Sequence, residues 1–289
     1  MLARLPSYGR ATVLRGPLMG SKNRRPTVEL IEHWIKQGFG QGKGANYVPW
    51  SFIRDVPSQG NSNGLHSQTT GRVHHYLSRG ERDLHLIAEY SGVIDIREQY
   101  ALLPWAEMQA VAAKVGIKHP IIRATTTPSV LTTDLVITVE RPDGRQEIAV
   151  AVKPRKALED PRTMEKLWLE RFYWMSRGIE WILHVSEEGT PALLAQNLGF
   201  FEGALRHAPQ VKACPVPPSQ FSQTFERHWT AELSLNNICK LACDELNLSD
   251  IGDGVRQLGA AVWQKQSRIE LGIAPIHHNT PVGLTVRGD

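Results

Sequence analysis

The sequence is poor in cysteine and has no apolar run long enough to cross a bilayer. Three cysteines occur among 289 residues, and no two of them form a CxxC pair. This content excludes a disulfide-stapled scaffold; the four-residue spacing of Cys239 and Cys243 predicts two reduced thiols on one helix face. With 41% hydrophobic and 21% charged residues, the composition is that of a globular protein. We therefore expect a cytoplasmic protein with no membrane partner.

Acidic residues are absent from the first 25 positions, which hold six Lys or Arg residues. Removing these six from the 33 basic residues of the chain leaves 27 against 29 acidic residues, so the pI of 9.0 describes a basic segment and not a basic body. Residues 1–26 are predicted to be a basic disordered tail, whose commonest use is phosphate contact. A leader resembling a transit peptide and a true start at Met19 are the alternatives.

Hydrophobic periodicity between residues 27 and 186 predicts one α/β domain built on a mixed sheet flanked by helices. Residues 27–37 and the segment after Ser78 have helical patterns, whereas the segment between them is expected to be a glycine-rich loop. The later elements are a strand (91–104), a polar helix (106–116), a hairpin (132–158), a helix (160–178) and a short strand (179–186). The last helix is expected to act as the crossover to the final strand.

Residues 187–289 have a different pattern, which predicts a second domain. A helix precedes a proline-rich stretch at 214–220 that is typical of a linker, and two amphipathic helices follow it. Two short strands near the end then suggest a C-terminal winged-helix-like domain for partner or DNA binding.

The hairpin places a carboxylate and an ammonium at its open end. A two-residue Asp143-Gly144 loop would put Asp134 opposite Lys153, and it would also put Glu140 opposite Glu147, a like-charge contact that disfavours this register. From the hairpin alone, a cross-strand ion pair is the simpler interpretation. The small residues on the same face nevertheless leave open space beside the carboxylate, as a substrate groove requires.

A metal-dependent nuclease needs further carboxylates, because Mg²⁺ binds oxygen ligands and phosphate oxygens together. Among the acidic residues upstream, the candidate is Glu81, in the first turn of the helix that follows Ser78. The pattern Ser78-x-x-Glu81 is also that of a capping box, which by itself explains the residue as well.

Five sequence blocks resemble TnsA, the endonuclease family of heteromeric cut-and-paste transposases. They extend over roughly residues 30–185 in the expected order: GQGKGANYVPW (40–50), TGRVHHYLS (70–78), VIDIREQYALLP (93–104), GIKHPIIR (116–123) and VKPRKALEDPRTMEKLWLERFYW (152–174). The resemblance implies a restriction-endonuclease-like fold. It also implies that the chain cuts the 5′ strands of double-stranded DNA at transposon ends, with a TnsB-like DDE transposase and a TnsC-like AAA+ regulator as partners, in the bacterial nucleoid.

The resemblance also assigns site residues. Its catalytic positions fall on Glu81, Asp134 and Lys153, and its Mg²⁺ ligands (Mn²⁺ being the expected substitute) fall on Glu81, Asp134, the carbonyl of Val152, and Glu170. Ala151 is a departure from the pattern, because restriction-type nucleases usually carry Glu or Gln two residues before the lysine.

Three basic residues are candidates for DNA contact: Lys43 in the glycine-rich loop, and Arg155 and Lys156 after the catalytic lysine. Solvated loop charges are an equally good explanation for Arg155 and Lys156, and a plain flexible loop is the simpler one for Lys43. Two alternative functions remain open at this point: a catalytically silent DNA-binding or assembly subunit, in which Ala151 marks lost chemistry, and a standalone restriction-type nuclease.

Overall fold

The computed structural model describes residues 26–53 and 63–285. The predicted basic tail and the possible start at Met19 therefore lie outside the described residues, apart from Pro26. None of the described helices is long and apolar enough to span a membrane.

A four-stranded mixed sheet forms the centre of the described fold. Its strands are β3 (Asp95–Ala101), β4 (Thr132–Arg141), β5 (Gly144–Lys153) and β6 (Glu180–Val185), in that spatial order. The first three are antiparallel, and β6 is parallel to β5. Helix α4 (Pro161–Met175) makes the crossover between β5 and β6, since parallel neighbours cannot be joined by a tight turn. The predicted mixed sheet flanked by helices is confirmed.

The register of the hairpin differs from the predicted one by two residues. Arg141 faces Gly144, so the turn is Pro142-Asp143, and Leu135 lies opposite Val150. A shift of two preserves which side chains share a face. It also removes the like-charge contact, because Glu140 now faces Arg145 and accepts a hydrogen bond from its Nε at 3.3 Å.

Helices cover both faces of this sheet. One face packs with α2 (Arg79–Ser91) into the largest apolar cluster, and the other packs with α3 (Trp105–Lys114) and α4. Helix α1 (Val28–Lys36) packs on Phe39, Trp50 and Ala101 in a third cluster. The N-termini of α1 and α2 are capped by side-chain oxygens: Thr27 accepts from Leu30 N–H, and Ser78 accepts from Glu81 N–H.

A small two-stranded sheet occupies a segment that the sequence predicts to be loop. Strand β1 (Asn63–His66) pairs with β2 (Val73–Tyr76). The prediction is wrong because this segment is too polar to show an alternating pattern. Its side chains are buried by pairing with charges of the main sheet: Arg72 donates two hydrogen bonds to the Glu98 carboxylate (2.8 and 2.6 Å), and His74 lies 2.9 Å from it.

The described chain after β6 is mainly helical. It comprises α5 (Ser186–Gly189), α6 (Ala192–Phe200), α7 (Glu202–Arg206), α8 (Ala208–Ala213), α9 (Pro218–His228), α10 (Leu235–Glu245) and α11 (Ile251–Trp263). The predicted proline-rich linker is wrong, because Pro218 is the first residue of α9 and Val216 is buried in the core. Cys239 and Cys243 are buried free thiols on one face of α10, as predicted.

The two predicted C-terminal strands are reduced to one isolated antiparallel bridge, between Ile269 and Leu284. Helices α9, α10 and α11 pack together, and this bridged segment follows them. A winged-helix-like domain therefore stays a prediction.

The largest apolar cluster is continuous from the sheet into the C-terminal helices. It joins Leu86 and Ile137 of the sheet region to Leu198, Phe225 and Leu258. The proposed boundary between residues 186 and 187 thus falls within a shared core, and the two-domain division stays a prediction.

Candidate active site

The contact between Asp134 and Lys153 is the centre of the candidate site. Asp134 Oδ2 accepts from Lys153 Nζ at 2.6 Å and from the backbone N–H of Val152 at 2.7 Å. The same ammonium donates to the Val152 carbonyl at 3.0 Å. The two side chains remain only partly exposed, 13% for Asp134 and 28% for Lys153. The predicted pair therefore forms despite the changed register, through side-chain reach and not through direct opposition.

Gly80 allows the first turn of α2 to approach this pair. A Cβ at this position would lie 2.8 Å from Ser186 Cβ and 3.3 Å from Val152 Cγ1, which is closer than packed carbons normally come. The absence of a side chain thus lets the helix begin directly against the end of β5. The next residue on that turn, Glu81, is consequently brought to the site.

Glu81 caps the helix and also belongs to the site. Ser78 Oγ donates to its carboxylate at 2.8 Å, and Leu77 N–H donates to it at 3.2 Å, so the predicted capping box forms with the N–H one residue before the cap. The side chain is buried, and burial together with the nearby charge of Asp134 raises its pKa to about 7. The two interpretations from the sequence are therefore compatible.

Glu170 brings a third carboxylate from the inward face of α4. It is buried, it accepts from Trp181 Nε1 at 3.1 Å, and burial together with the charge of Asp134 raises its pKa to about 7. The pKa of Lys153 depends on two opposing effects. Burial alone would lower the pKa of the ammonium, but its ion pair and hydrogen bond with Asp134 outweigh burial and raise it.

A cavity of about 260 Å³ opens beside these groups. Asp134, Lys153 and Glu170 line it together with Lys166, which is exposed, and Thr163. This volume accommodates a phosphate group with its water shell. The cavity thus combines an anionic centre, suited to a cation, with lysines suited to phosphate oxygens.

The site suits a hard divalent cation. Within the described ranges, no three His, Cys, Asp or Glu side chains are arranged as a closed metal cage. Mg²⁺ does not require one, because it keeps several waters and uses one or two carboxylates. The ammonium of Lys153 already bridges Asp134 Oδ2 and the Val152 carbonyl, the two oxygens predicted as ligands, so a positive charge fits there. Glu81 and Glu170 could supply further oxygens, whereas Ala151 is fully buried and offers none.

Two of the three basic residues predicted to bind DNA, Lys43 and Arg155, are engaged by acidic side chains. Lys43 lies 3.3 Å from Glu147, six residues before Lys153 on β5, which is about 20 Å away along an extended strand. Arg155 donates to the Glu188 carboxylate through Nε (2.6 Å) and Nη2. Lys156 is exposed and has no ion pair within the described chain.

Gln99 is a site residue that the sequence interpretation missed. The register on either side places it beside Asp134, and its Nε2 donates to Glu81 Oε2 at 3.3 Å. Its φ of +46° is in the left-handed region, where a non-glycine residue is strained. No sequence signal marks this geometry. Lys166 could have been found, because it precedes Glu170 by four residues and therefore lies on the same helix face.

The chain is similar in sequence to known proteins. Residues 90–186 match the family model described as TnsA-like endonuclease N terminal. The chain is also 44% identical over 165 residues to the Escherichia coli "Transposon Tn7 transposition protein TnsA". The aligned region covers 56% of this chain and spans 59% of the length of that relative.

The TnsA resemblance inferred from the sequence blocks is thus confirmed. Asp134, Lys153 and Glu170 lie inside the matched range, together with the whole four-stranded sheet, whereas Glu81 precedes its first residue by nine positions. The catalytic, metal-binding and DNA-binding roles of individual residues stay predictions.

Proposed function

We propose that this protein is a Mg²⁺-dependent DNA endonuclease subunit of a heteromeric transposase, cleaving the 5′ strands at transposon ends. The observation that carries the proposal is the Asp134–Lys153 contact, flanked by two buried carboxyl groups whose pKa values are raised to about 7. Strongly perturbed carboxyl groups beside an ammonium in a cleft are typical of catalytic sites.

In this proposal each side chain has a distinct task. Asp134, the Val152 carbonyl and Glu81 would hold the metal, with support from Glu170; Mg²⁺ bound there would supply polarisation of the scissile phosphoryl group and activation of a water. Lys153 releases Asp134 and turns its ammonium towards the phosphate, where it stabilises the charge that develops during cleavage. Gln99 and Ser78 keep the Glu81 carboxylate in position.

DNA is expected to lie across the cavity, with Lys156 and Lys166 at its phosphates. Arg155 contributes if DNA displaces Glu188, and Lys43 contacts the duplex away from the cut. A TnsB-like DDE transposase that cuts the 3′ strands and a TnsC-like AAA+ regulator are the proposed partners, in the bacterial nucleoid.

A strand-specific cleavage assay tests the function. Duplex transposon ends labelled on either strand are incubated with Mg²⁺ and both partners, using the wild type, Asp134→Asn and Lys153→Met. Asp143→Asn and Arg145→Met are matched controls, because they make the same chemical changes at the other end of the same hairpin. We expect the first two variants to lose 5′-strand cleavage at least 100-fold and the controls to retain it.

A catalytically silent assembly subunit is the second candidate, and Ala151 is the observation that favours it. If wild type and both site variants leave the 5′ strands equally uncut while 3′ cleavage proceeds, this second function replaces the first. Cleavage by the chain alone, without either partner, would instead indicate a standalone nuclease.

A further inference from the structure

Helix α4 has an apolar outer face that no part of the described chain covers. Trp168, Phe172 and Met175 are 59%, 47% and 59% exposed, and their spacing of four and three residues places them in one stripe. The opposite face of the same helix is buried against the sheet through Leu167, Glu170, Tyr173 and Trp174. The helix therefore has apolar residues on both sides, where one side is sufficient to fold it.

This stripe borders a groove between α3 and α4. The groove has a volume of about 280 Å³, and it is lined only by apolar side chains: Val111, Val115, Ile117, Trp168, Leu169 and Phe172. Val115, on the α3 side, is itself 50% exposed. Contiguous apolar patches of this kind mark interaction sites on proteins, whereas single exposed apolar residues do not.

The charges at the rim of the groove are basic and unpaired. Lys114 and Lys118 adjoin the lining residues of α3 and are exposed, and the Arg171 guanidinium lies over the Trp168 ring, 5.6 Å from its centroid. None of these three side chains forms an ion pair with a described residue.

The acidic residues of the two helices are already engaged. Glu107 binds Arg177 at 2.7 Å, Glu165 binds Arg162, and Glu170 is buried in the candidate active site. The rim therefore presents positive charge alone.

We propose that this groove receives an amphipathic helix of a partner protein, with apolar residues at positions i, i+4 and i+7 and with acidic residues beside them. Helix-in-groove recognition uses this spacing, and the acidic flanks would pair with Lys114, Lys118 and Arg171. The positive charge of the rim disfavours two other occupants, namely the N-terminal segment of this chain and a second copy of the chain. Residues 1–25 hold six basic residues and no acid, and a second copy would bring an identical basic rim.

Binding at this groove would act on the candidate site through one helix. Helix α4 contributes to both surfaces. Trp168 and Phe172 line the groove, whereas Thr163, Lys166 and Glu170 line the active-site cavity on the other side of the helix. A partner seated on the outer face thus fixes the helix that positions Glu170. The docking proposal itself does not require nuclease activity, and it can succeed or fail independently of the proposed function.

A display selection tests the proposal. A library of random 16-residue peptides is selected on the full chain and counter-selected on Trp168→Ser/Phe172→Ser, a variant that changes only exposed side chains. We expect enriched peptides to be acidic and to carry apolar residues at i, i+4 and i+7. Fluorescence anisotropy should show binding at least tenfold weaker to the double variant and unchanged binding to Ile273→Ser, a control residue that is 72% exposed elsewhere.

Charge reversal makes the test specific. Lys114→Glu/Arg171→Glu should weaken the selected peptides at least tenfold and should enrich basic peptides in a repeated selection. The proposal is overturned by enrichment of basic peptides on the wild type, by the absence of any enrichment that depends on Trp168 and Phe172, or by wild-type dimerisation in sedimentation equilibrium that the double variant abolishes.

Discussion

The side-chain amide of Gln99 donates to the Glu81 carboxylate at 3.3 Å, from a residue whose own backbone has a φ of +46°. The backbone carbonyl of Gln99 is held as well, because it accepts from Trp50 N–H at 3.1 Å. A strained residue that is fixed at both ends and directed at a carboxylate is typical of functional sites.

The strain at Gln99 predicts an unusual order of stability. Gln99→Gly should be more stable than Gln99→Ala by about 1 kcal/mol, because only glycine adopts the left-handed region without steric cost. Both variants lose the hydrogen bond to Glu81, so both should cleave DNA more slowly, by roughly tenfold. Urea denaturation and the cleavage assay measure the two effects. Equal stabilities would mean that the backbone relaxes once the side chain is removed.

The raised pKa of Glu81 predicts that ionising this residue destabilises the fold. Its pKa is about 7 in the folded protein against 4.5 for a free side chain, so its favourable contribution is complete below pH 4.5 and is lost as the pH rises through 7. Glu81→Gln, which keeps the capping oxygen, should therefore stabilise the protein at pH 8 by up to about 3 kcal/mol and leave it nearly unchanged at pH 4.5.

Thermal unfolding at several pH values measures this effect. The exposed Glu159→Gln serves as the control, and it should shift the melting temperature equally little at every pH. A stabilisation by Glu81→Gln that is independent of pH would contradict the assignment to ionisation.

The position of the Lys153 ammonium predicts that lysine and metal compete. The ammonium is hydrogen-bonded to the two oxygens proposed to bind Mg²⁺. Lys153→Met should therefore bind Mg²⁺ several-fold more tightly while losing cleavage. Asp134→Asn should lose both Mg²⁺ binding and DNA cleavage. Mg²⁺ titrations followed by melting temperature report binding without activity, and the stabilisation should grow from pH 6 to pH 8 as Glu81 and Glu170 ionise. Weaker binding by Lys153→Met would show that the lysine assists the metal.

The buried cluster behind the site predicts a large effect on stability. Glu98 is completely buried and accepts from Arg72, so Glu98→Gln leaves a guanidinium without its counter-charge and should cost about 3–5 kcal/mol. Glu107→Gln breaks the exposed pair with Arg177 and should cost about 1 kcal/mol or less. Chemical denaturation measures the free energy of unfolding of both variants. Similar losses of stability in the two variants would mean that water reaches Arg72.

Two neighbouring basic residues should differ in DNA binding. Lys156→Ala should reduce the slope of log K against log salt by about 0.9, the value for one phosphate contact. Arg155→Ala should reduce it less, because this guanidinium is already paired with Glu188. Titrations of duplex DNA at four salt concentrations measure both slopes, and a larger change for Arg155 would mean that DNA displaces Glu188.

The sequence predicted the central sheet well because its strands bury a continuous apolar face. It placed Asp134 and Lys153 on the correct face even though the register was off by two residues, since the alternation has a period of two. The sequence alone did not determine which two residues form the hairpin turn, because Pro142-Asp143 and Asp143-Gly144 are both good turn sequences. The Glu140–Glu147 conflict was the signal that favoured the observed register.

Other features depend on long-range contacts that no local pattern reports. Strand β2 and the residue before it are polar in sequence because Arg72 and His74 are matched by Glu98, a residue at least 24 positions away. Gln99 enters the site through a backbone conformation that its residue type disfavours. Val216 lies in a proline-rich stretch typical of a linker, yet it is buried by helices that follow it in the chain.

The continuous core has a consequence for how this protein unfolds. Because Leu86 and Ile137 share one apolar cluster with Leu198, Phe225 and Leu258, removal of the C-terminal helices would expose apolar surface beneath α2, the helix that carries Glu81. Loss of structure in one half is therefore transmitted to the other, and heating should melt both in one calorimetric transition. A chain shortened near residue 186 should therefore aggregate and lose its candidate active site, whether or not it can still recognise a partner.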